Sequence, residues 1–381
     1  MCGNEAMAES AIQAGLDAYF GYPITPQNEV TAYMSKRMPE EKKVFIQSES
    51  ELAAINMVFG AAATGKRTMT SSSSPGISLM QEGISYLAAA ELPCVIVNVM
   101  RGGPGLGNIA PSQGDYFQSV KGGGHGDYHC IVFGPSGVQE FADIMPLAFD
   151  LADKYRIPAI ILADGIIGQM MEPVVIPTNS KLTTQNLKLP KKDWALTGAD
   201  GRKQNIVRSL WLAEGAVEQH NYDLQAKYRQ IEKNETRCEQ SDVDDADIII
   251  VAYGICARIA RRAAQQAREQ GIKVGCIRPI TLWPFPSEPI SKAACGERSR
   301  TADKSPIFLV VEMSCGQMVE DVRLAVAGKT PVVFWGRPGG GIPTVEKVLE
   351  KIEQLVTRAS SPCLHGQSTG HLTADGRATK K

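Results

Sequence analysis

The amino-acid sequence predicts an α/β fold, a parallel sheet covered by helices on both faces, followed by a smaller second α/β domain. Three observations carry that expectation. Runs such as Pro158-Ala-Ile-Ile-Leu-Ala163 and Ile248-Ile-Ile-Val-Ala252 are strand-length and apolar throughout, as strands buried on both faces must be. Segments of helical period separate such runs at regular spacing. Polar motifs stand where the strands run out, the edge at which open α/β sheets bind ligands.

Asn4 predicts the cap of a first helix, with Met7, Ala8, Ala11 and Ile12 on one face and Gly15 as its stop. An aromatic strand, Ala18–Tyr22, runs into the turn Pro23-Ile-Thr-Pro26, and a helix follows over about 28–38. Strand 43–46 leads into a helix from about Glu51 to Ala63. Strand 67–70 ends in the serine run before Pro75-Gly76, which opens a helix reaching Ala90. Strand 94–100 gives way to a long glycine-rich loop, Gly102 to Tyr128. Strand 130–133, helix 138–154 and strand 159–163 complete a first domain, 1–175.

Residues 176–243 are polar, with Pro177, Pro190 and Lys191-Lys192, and read as a linker holding one charged helix from about Ala213 to Glu235. The alternation resumes over 244–356: strand 247–252, helix 257–270, strands 273–277 and 307–312, helix 317–327, strand 332–335 and helix 345–356. Residues 294–302 resemble an inserted surface loop. The tail, 357–381, has no apolar period and predicts disorder.

The 381 residues are 43% hydrophobic and 21% charged with a formal net charge of −1, so nothing draws the chain to nucleic acid or an anionic membrane. No apolar run is long enough to span a bilayer, and the start lacks the marks of a secretory signal, so the expected location is cytoplasmic. The nine cysteines stand singly, with no Cys-x-x-Cys spacing for zinc or an iron–sulfur cluster; Cys94 and Cys276 read as small strand hydrophobes. A metal held by this chain alone is not expected.

Three polar groups arrive at one edge from successive strand ends: Thr25 in Gly21-Tyr-Pro-Ile-Thr-Pro26, Glu51 in Gln47-Ser-Glu-Ser-Glu51, and Arg101 in Val99-Met-Arg-Gly-Gly-Pro-Gly105. Thr25 alone fits a turn cap. Glu51, like Glu49, fits a carboxylate at a helix N-terminus as well as a functional acid. Arg101, ending an apolar strand before two glycines, needs an anionic partner, whether a protein carboxylate or a substrate's. Gly60-Ala-Ala-Ala-Thr-Gly-Lys66 matches a phosphate loop, but Arg67 stands where a magnesium-holding Ser or Thr belongs, and the run ends a helix instead of opening one; it reads as a closely packed helix C-cap. Gly103-Pro-Gly-Leu-Gly107 follows the fourth strand, out of place for a dinucleotide fingerprint, and reads as a substrate-facing mobile loop. His125 in that loop fits a solvated side chain or a proton shuttle.

These motifs in this order resemble the α subunit of the 2-oxoacid:ferredoxin oxidoreductases. The resemblance runs through Gly3-Asn-Glu-Ala, Tyr-Pro-Ile-Thr-Pro, Ser-Glu-Ser-Glu-Leu-Ala-Ala, Thr70-Ser-Ser-Ser-Ser-Pro-Gly76 and Met-Arg-Gly-Gly-Pro-Gly, to Arg278-Pro-Ile-Thr-Leu-Trp-Pro-Phe-Pro286 and Val311-Glu-Met-Ser-Cys-Gly-Gln-Met-Val319. It covers about residues 3–356. Gly107-Asn-Ile-Ala-Pro-Ser-Gln-Gly-Asp115 and Gly122-Gly-Gly-His-Gly-Asp127 are most similar to the branched-chain type, which acts on 3-methyl-2-oxobutanoate (2-ketoisovalerate).

The resemblance implies a pyrimidine-type thiamine-diphosphate-binding domain followed by a transketolase C-terminal-like domain. It implies that Mg2+, the diphosphate and a 4Fe–4S cluster are held by a β subunit, with γ and ferredoxin-like δ subunits completing a hetero-oligomer. That assembly converts a 2-oxoacid and coenzyme A into acyl-CoA and CO2, with electrons passing to ferredoxin. The family register selects Glu51 over Glu49 as the acid at N1′ of the aminopyrimidine, a role that needs its carboxyl protonated. Thr25 and Arg101 match the substrate-contacting threonine and arginine, and Tyr22 and Ser74 fall among the expected cofactor contacts. Two alternatives stay open: the same chemistry on 2-oxoglutarate, pyruvate or an aryl pyruvate, and, more remotely, a non-catalytic nucleotide-binding module.

Overall fold

A computed structural model describes residues 1–176, 189–295 and 305–359. The first part of the chain forms α1 (Gly3–Gln13), β1 (Ala18–Gly21), α2 (Asn28–Glu40), β2 (Val44–Gln47), α3 (Glu51–Ala63), β3 (Thr68–Ser72), α4 (Ser74–Ala89), β4 (Cys94–Met100), α5 (Tyr116–Val120), β5 (Ile131–Phe133), α6 (Val138–Tyr155), β6 (Pro158–Asp164) and α7 (Gly165–Gln169). Then come α8 (Ala216–Glu235), β7 (Cys238–Ser241), β8 (Ile248–Val251), α9 (Gly254–Glu269), β9 (Val274–Pro279), β10 (Thr281–Trp283), α10 (Ser287–Cys295), β11 (Ile307–Glu312), α11 (Met318–Val326), β12 (Val332–Gly336) and α12 (Val345–Ala359).

Two sheets result, ordered β10-β5-β6-β4-β3-β1-β2 and β12-β11-β8-β9-β7. Every pairing in the first is parallel except β10 with β5, and in the second except β7 with β9. Strands β4 and β6 pair over seven residues and are buried at every position, which is why their sequences carry no alternation. Strand β2 lies at the free edge and leaves Val44 and Ile46 exposed.

Four features depart from the sequence reading. Asn4 is not the cap of α1: the helix starts one residue before it, and the buried Asn4 Nδ2 donates to Pro26 O (2.9 Å) and Glu29 Oε2 (2.8 Å). The end of the linker is strand β7, a polar edge strand, Cys-Glu-Gln-Ser, with no apolar pattern to betray it. Residues 281–283 leave the second sheet's neighbourhood and add an antiparallel edge strand to the first, Thr281 opposite Phe133. The glycine-rich loop holds the short helix α5. The tail lies outside the described residues beyond 359, and residues 357–359 close α12; most of the inserted loop, from 296, is likewise outside them.

Helix α8 is fastened to the first sheet's helices. It buries Leu224, Tyr228 and Ile231, and its Glu235 accepts from Lys154 Nζ (2.7 Å) and Tyr155 OH (2.6 Å) of α6. Lys227 reaches Glu91 Oε2 at 3.0 Å. The phosphate-loop look-alike is structural: Thr64 caps α3, Gly65 follows at φ +82°, and Arg67 donates to Asp150 (2.7 Å), Asp153 (2.9 Å) and Ala14 O (2.7 Å). Close packing holds at Gly65, where a Cβ would fall 2.9 Å from Ala195 Cβ, but not at Gly60, which faces open space.

Candidate active site

Strands β4, β3, β1 and β2 lie side by side; the three sequence motifs leave from the ends of β1, β2 and β4, and the serine run leaves from the end of β3. The turn after β1 is set from beneath by a chain of buried polar groups. Tyr19 OH and Ser71 Oγ lie 2.7 Å apart, Ser71 Oγ donates to Gln27 Oε1 (2.6 Å), and Gln27 Nε2 reaches Tyr22 O (3.4 Å). Gln27 and Ser71 are fully buried, where unpaired polar atoms would be costly, so the chain fixes the turn. Thr25 Oγ1 accepts from Asn28 Nδ2 at 3.2 Å. Tyr22 is 39% exposed at the end of β1.

Glu51 is the first residue of α3, whose N-cap Ser50 Oγ accepts from Ala53 N (3.2 Å). Its side chain is buried while Glu49, two residues earlier, is exposed, so burial separates two carboxylates that the sequence alone leaves alike. Among the described residues a single side-chain bond reaches it, a long one of 3.4 Å from Ser72 Oγ to Oε1. Gly76 makes room for it: a Cβ there would stand 2.5 Å from Glu51 Oε1 and 2.0 Å from Ser72 Oγ. Among the described residues the hydroxyls of Ser48 and Ser73, close in sequence to Glu51 and Ser72, are buried without a partner. A buried acid with an uncommitted oxygen, beside unpaired hydroxyls, is set to meet a polar ligand.

Arg101 directly follows β4, and only 7% of it is exposed. Its guanidinium donates to two carbonyls, Thr25 O (3.0 Å) and Leu106 O (3.1 Å), and Nε is buried with no partner. Among the described residues no carboxylate forms an ion pair with it, so of the two alternatives the sequence left open, the protein carboxylate is not met there. The structure thus brings Arg101 and Thr25 together. Glu51 stands against Ser72 and Gly76, and the Arg101 backbone meets Ser74 between those two positions.

Ser74 commits its hydroxyl to the protein: Oγ lies 3.1 Å from Arg101 N, 3.2 Å from Arg101 O and 2.5 Å from Asp115 Oδ2. Sequence reasoning missed Gln27, Ser71 and Asp115. A run of hydroxyls from Thr70 to Ser74 entering a buried strand end was the available signal, since buried hydroxyls require partners. The His125 ring is exposed and meets Tyr86 edge-on at 6.2 Å. Among the described residues no three His, Cys, Asp or Glu side chains cluster as a metal site.

Two family models cover almost the whole chain. The thiamine-diphosphate-binding domain of pyruvate flavodoxin/ferredoxin oxidoreductases matches residues 9–240, more than half of it, and core domain II of pyruvate:ferredoxin oxidoreductase matches 246–348. The chain belongs to the 2-oxoacid:ferredoxin oxidoreductase family. It is 51% identical to ketoisovalerate oxidoreductase subunit VorB of Methanothermobacter thermautotrophicus, over 94% of this chain and 98% of that protein. It is 36% identical to 2-oxoglutarate synthase subunit KorA of the same organism, over 93% and 97%. A solved 2-oxoglutarate:ferredoxin oxidoreductase from Magnetococcus marinus superimposes with a TM-score of 0.78 at 26% identity; the match covers 93% of this chain and 64% of that longer one. A split-gene transketolase, at 14% identity and a TM-score of 0.57, shares the fold alone. The family model carries the expected thiamine-diphosphate-binding fold.

Proposed function

We propose that this chain is the α subunit of a 2-oxoacid:ferredoxin oxidoreductase that oxidatively decarboxylates a branched 2-oxoacid, 3-methyl-2-oxobutanoate, to acyl-CoA and CO2. The observation that carries the reading is Arg101, a buried guanidinium that pairs with no carboxylate among the described residues, joined to Thr25 and set across the Ser72–Gly76 junction from a buried glutamate. A 2-oxoacid carboxylate supplies the charge Arg101 lacks, and planar two-point binding suits both groups. The Thr25 hydroxyl offers a bond to the substrate's oxygens. Leu106, 81% exposed, and Ile109, 67% exposed, ride on the loop that Arg101 clasps and present apolar surface to an aliphatic acyl chain. Greater identity to ketoisovalerate than to 2-oxoglutarate enzymes favours the same substrate.

The residues fit the pyrimidine end of thiamine diphosphate. Glu51 has an oxygen free for the ring nitrogen N1′, and Gly76 leaves its carboxyl in place. Its task is to hold a proton at that nitrogen. The bound cofactor supplies the electron sink for loss of CO2. Tyr22, half-open at the end of β1, offers its ring to the cofactor. We assign the diphosphate, Mg2+ and the 4Fe–4S cluster to a β subunit, and completion of the assembly to γ and ferredoxin-like δ subunits. Relatives named as subunits support a multi-chain enzyme.

The test is purification of the complex with its companion chains, followed by assay of each 2-oxoacid with coenzyme A and ferredoxin. The highest kcat/KM is expected with 3-methyl-2-oxobutanoate. Preference for 2-oxoglutarate, pyruvate or an aryl pyruvate would overturn the substrate, and absence of any 2-oxoacid-dependent reduction of ferredoxin would overturn the reading.

A further inference from the structure

Arg101 is held at its backbone as well as at its guanidinium, and the backbone grip runs through Ser74 to Asp115. Ser74 Oγ has one hydrogen and three neighbours. The shortest contact, 2.5 Å, is to Asp115 Oδ2, so the hydrogen goes there, and the oxygen is left to accept from Arg101 N–H at 3.1 Å. Asn98 Nδ2, on β4, donates to the same Oδ2 at 2.9 Å. The order of donation is therefore Arg101 N–H to Ser74, Ser74 O–H to Asp115, with Asn98 steadying the acceptor. Asn98 is fully buried on β4, three residues before Arg101.

Asp115 is itself fixed from the second sheet. Two residues earlier, Gln113 is fully buried, donates through N to Met313 O (3.0 Å) and through Nε2 to Tyr253 O (3.0 Å), and accepts from Met313 N (3.1 Å). Gln317 Nε2 donates to Gly114 O at 2.7 Å. The segment that carries Asp115 thus cannot shift without breaking bonds to the β11–α11 turn.

We propose that Asp115 is a positioning residue for Arg101, acting through the Ser74 hydroxyl. It sets the height of the β4 end, and with it the guanidinium that grips the substrate carboxylate. The proposal rests on the reading of Arg101 given above. A negative charge near a carboxylate site would, by itself, weaken binding, so its removal would lower KM. A positioning role predicts the opposite sign, and the sign separates the two.

In the complete complex, Asp115→Asn and Ser74→Ala are each expected to raise KM for the 2-oxoacid about tenfold, the scale of one lost charge-assisted hydrogen bond, while kcat and the KM for coenzyme A stay nearly constant. Ser74→Thr, which keeps the hydroxyl, is expected to restore the KM. In an Arg101→Lys background the effect of Asp115→Asn should shrink, since the guanidinium it positions is gone. An unchanged or lowered 2-oxoacid KM, or full additivity with Arg101→Lys, would overturn the proposal. If Asp115→Asn does not assemble, the Ser74 pair decides. If Arg101→Lys leaves the 2-oxoacid KM unchanged, the reading of Arg101 fails and takes this proposal with it.

Discussion

At Gly76 a single methyl group decides the geometry around Glu51. A Cβ there would sit 2.7 Å from Glu51 Cγ as well as 2.5 Å from its carboxylate oxygen, so the side chain must leave its position. Gly76→Ala is therefore expected to reproduce much of the loss from Glu51→Gln, which removes general acid–base help worth roughly 10²–10⁴-fold in turnover. Glu49→Gln, at an exposed position, should change little. Ferredoxin reduction by the three variant complexes at saturating thiamine diphosphate is the check, and near-normal turnover in Glu51→Gln would sink the assignment of Glu51. The choice between the two glutamates was legible in the sequence only through family register; burial now gives it a physical basis. Gln27 and Asp115 were not legible, because each pairs with a residue some forty positions away and no local pattern marks such a pairing; Ser71 stood in a hydroxyl run that shows a need for partners without naming them.

Elements were legible where periodicity is strong. The continuous apolar runs of β4, β6 and β8 could only be buried strands. Strands β7 and β10 were not, the first because four polar residues at an edge carry no pattern, the second because three residues between prolines are too few to show one. Motif reading also misleads at this scale, and the two glycines of the phosphate-loop look-alike test how. Gly60 lies inside α3, and a methyl group added there would meet nothing within 4 Å, so Gly60→Ala should stabilise the protein by about 0.5–1 kcal/mol through helix propensity. Gly65, at φ +82° and against Ala195, should lose at least about 1 kcal/mol on the same change. Thermal unfolding with Tm moving in opposite directions is the expected result. Equal losses at both positions, together with ATP binding by the unmodified chain, would revive the nucleotide-binding alternative.

Across the whole molecule, the two sheets are joined by buried polar contacts, and the loop after β4 reaches that seam, where Asn108 Nδ2 donates to Gly339 O at 3.0 Å. Strand β10 crosses it, Arg278 grips Glu140 at two points (2.8 and 3.0 Å), and Tyr116 donates to Asp321 at 2.7 Å. Asp164 sits at its centre. It ends β6, accepts from Ile167 N of α7 (3.1 Å) through one oxygen and from Ile255 N of α9 (2.8 Å) through the other, and is 1% exposed. Burial pushes its carboxyl up to about 6, with the two backbone N–H groups only partly opposing the shift. A carboxyl raised in the folded state contributes stability that is fully present below its unfolded pKa of about 3.9 and is lost as pH rises through about 6. The difference is about two units, or about 3 kcal/mol. Asp164→Asn removes the titration while leaving most of the volume. The stability of the unmodified chain minus that of Asp164→Asn should therefore fall by about that amount between pH 4 and pH 7, whatever the fixed offset from altered hydrogen bonding. Denaturant titrations of both proteins at a series of pH values measure the slope directly, and a difference flat across that window would mean that Asp164 joins the two sheets as an ordinary ionised carboxylate.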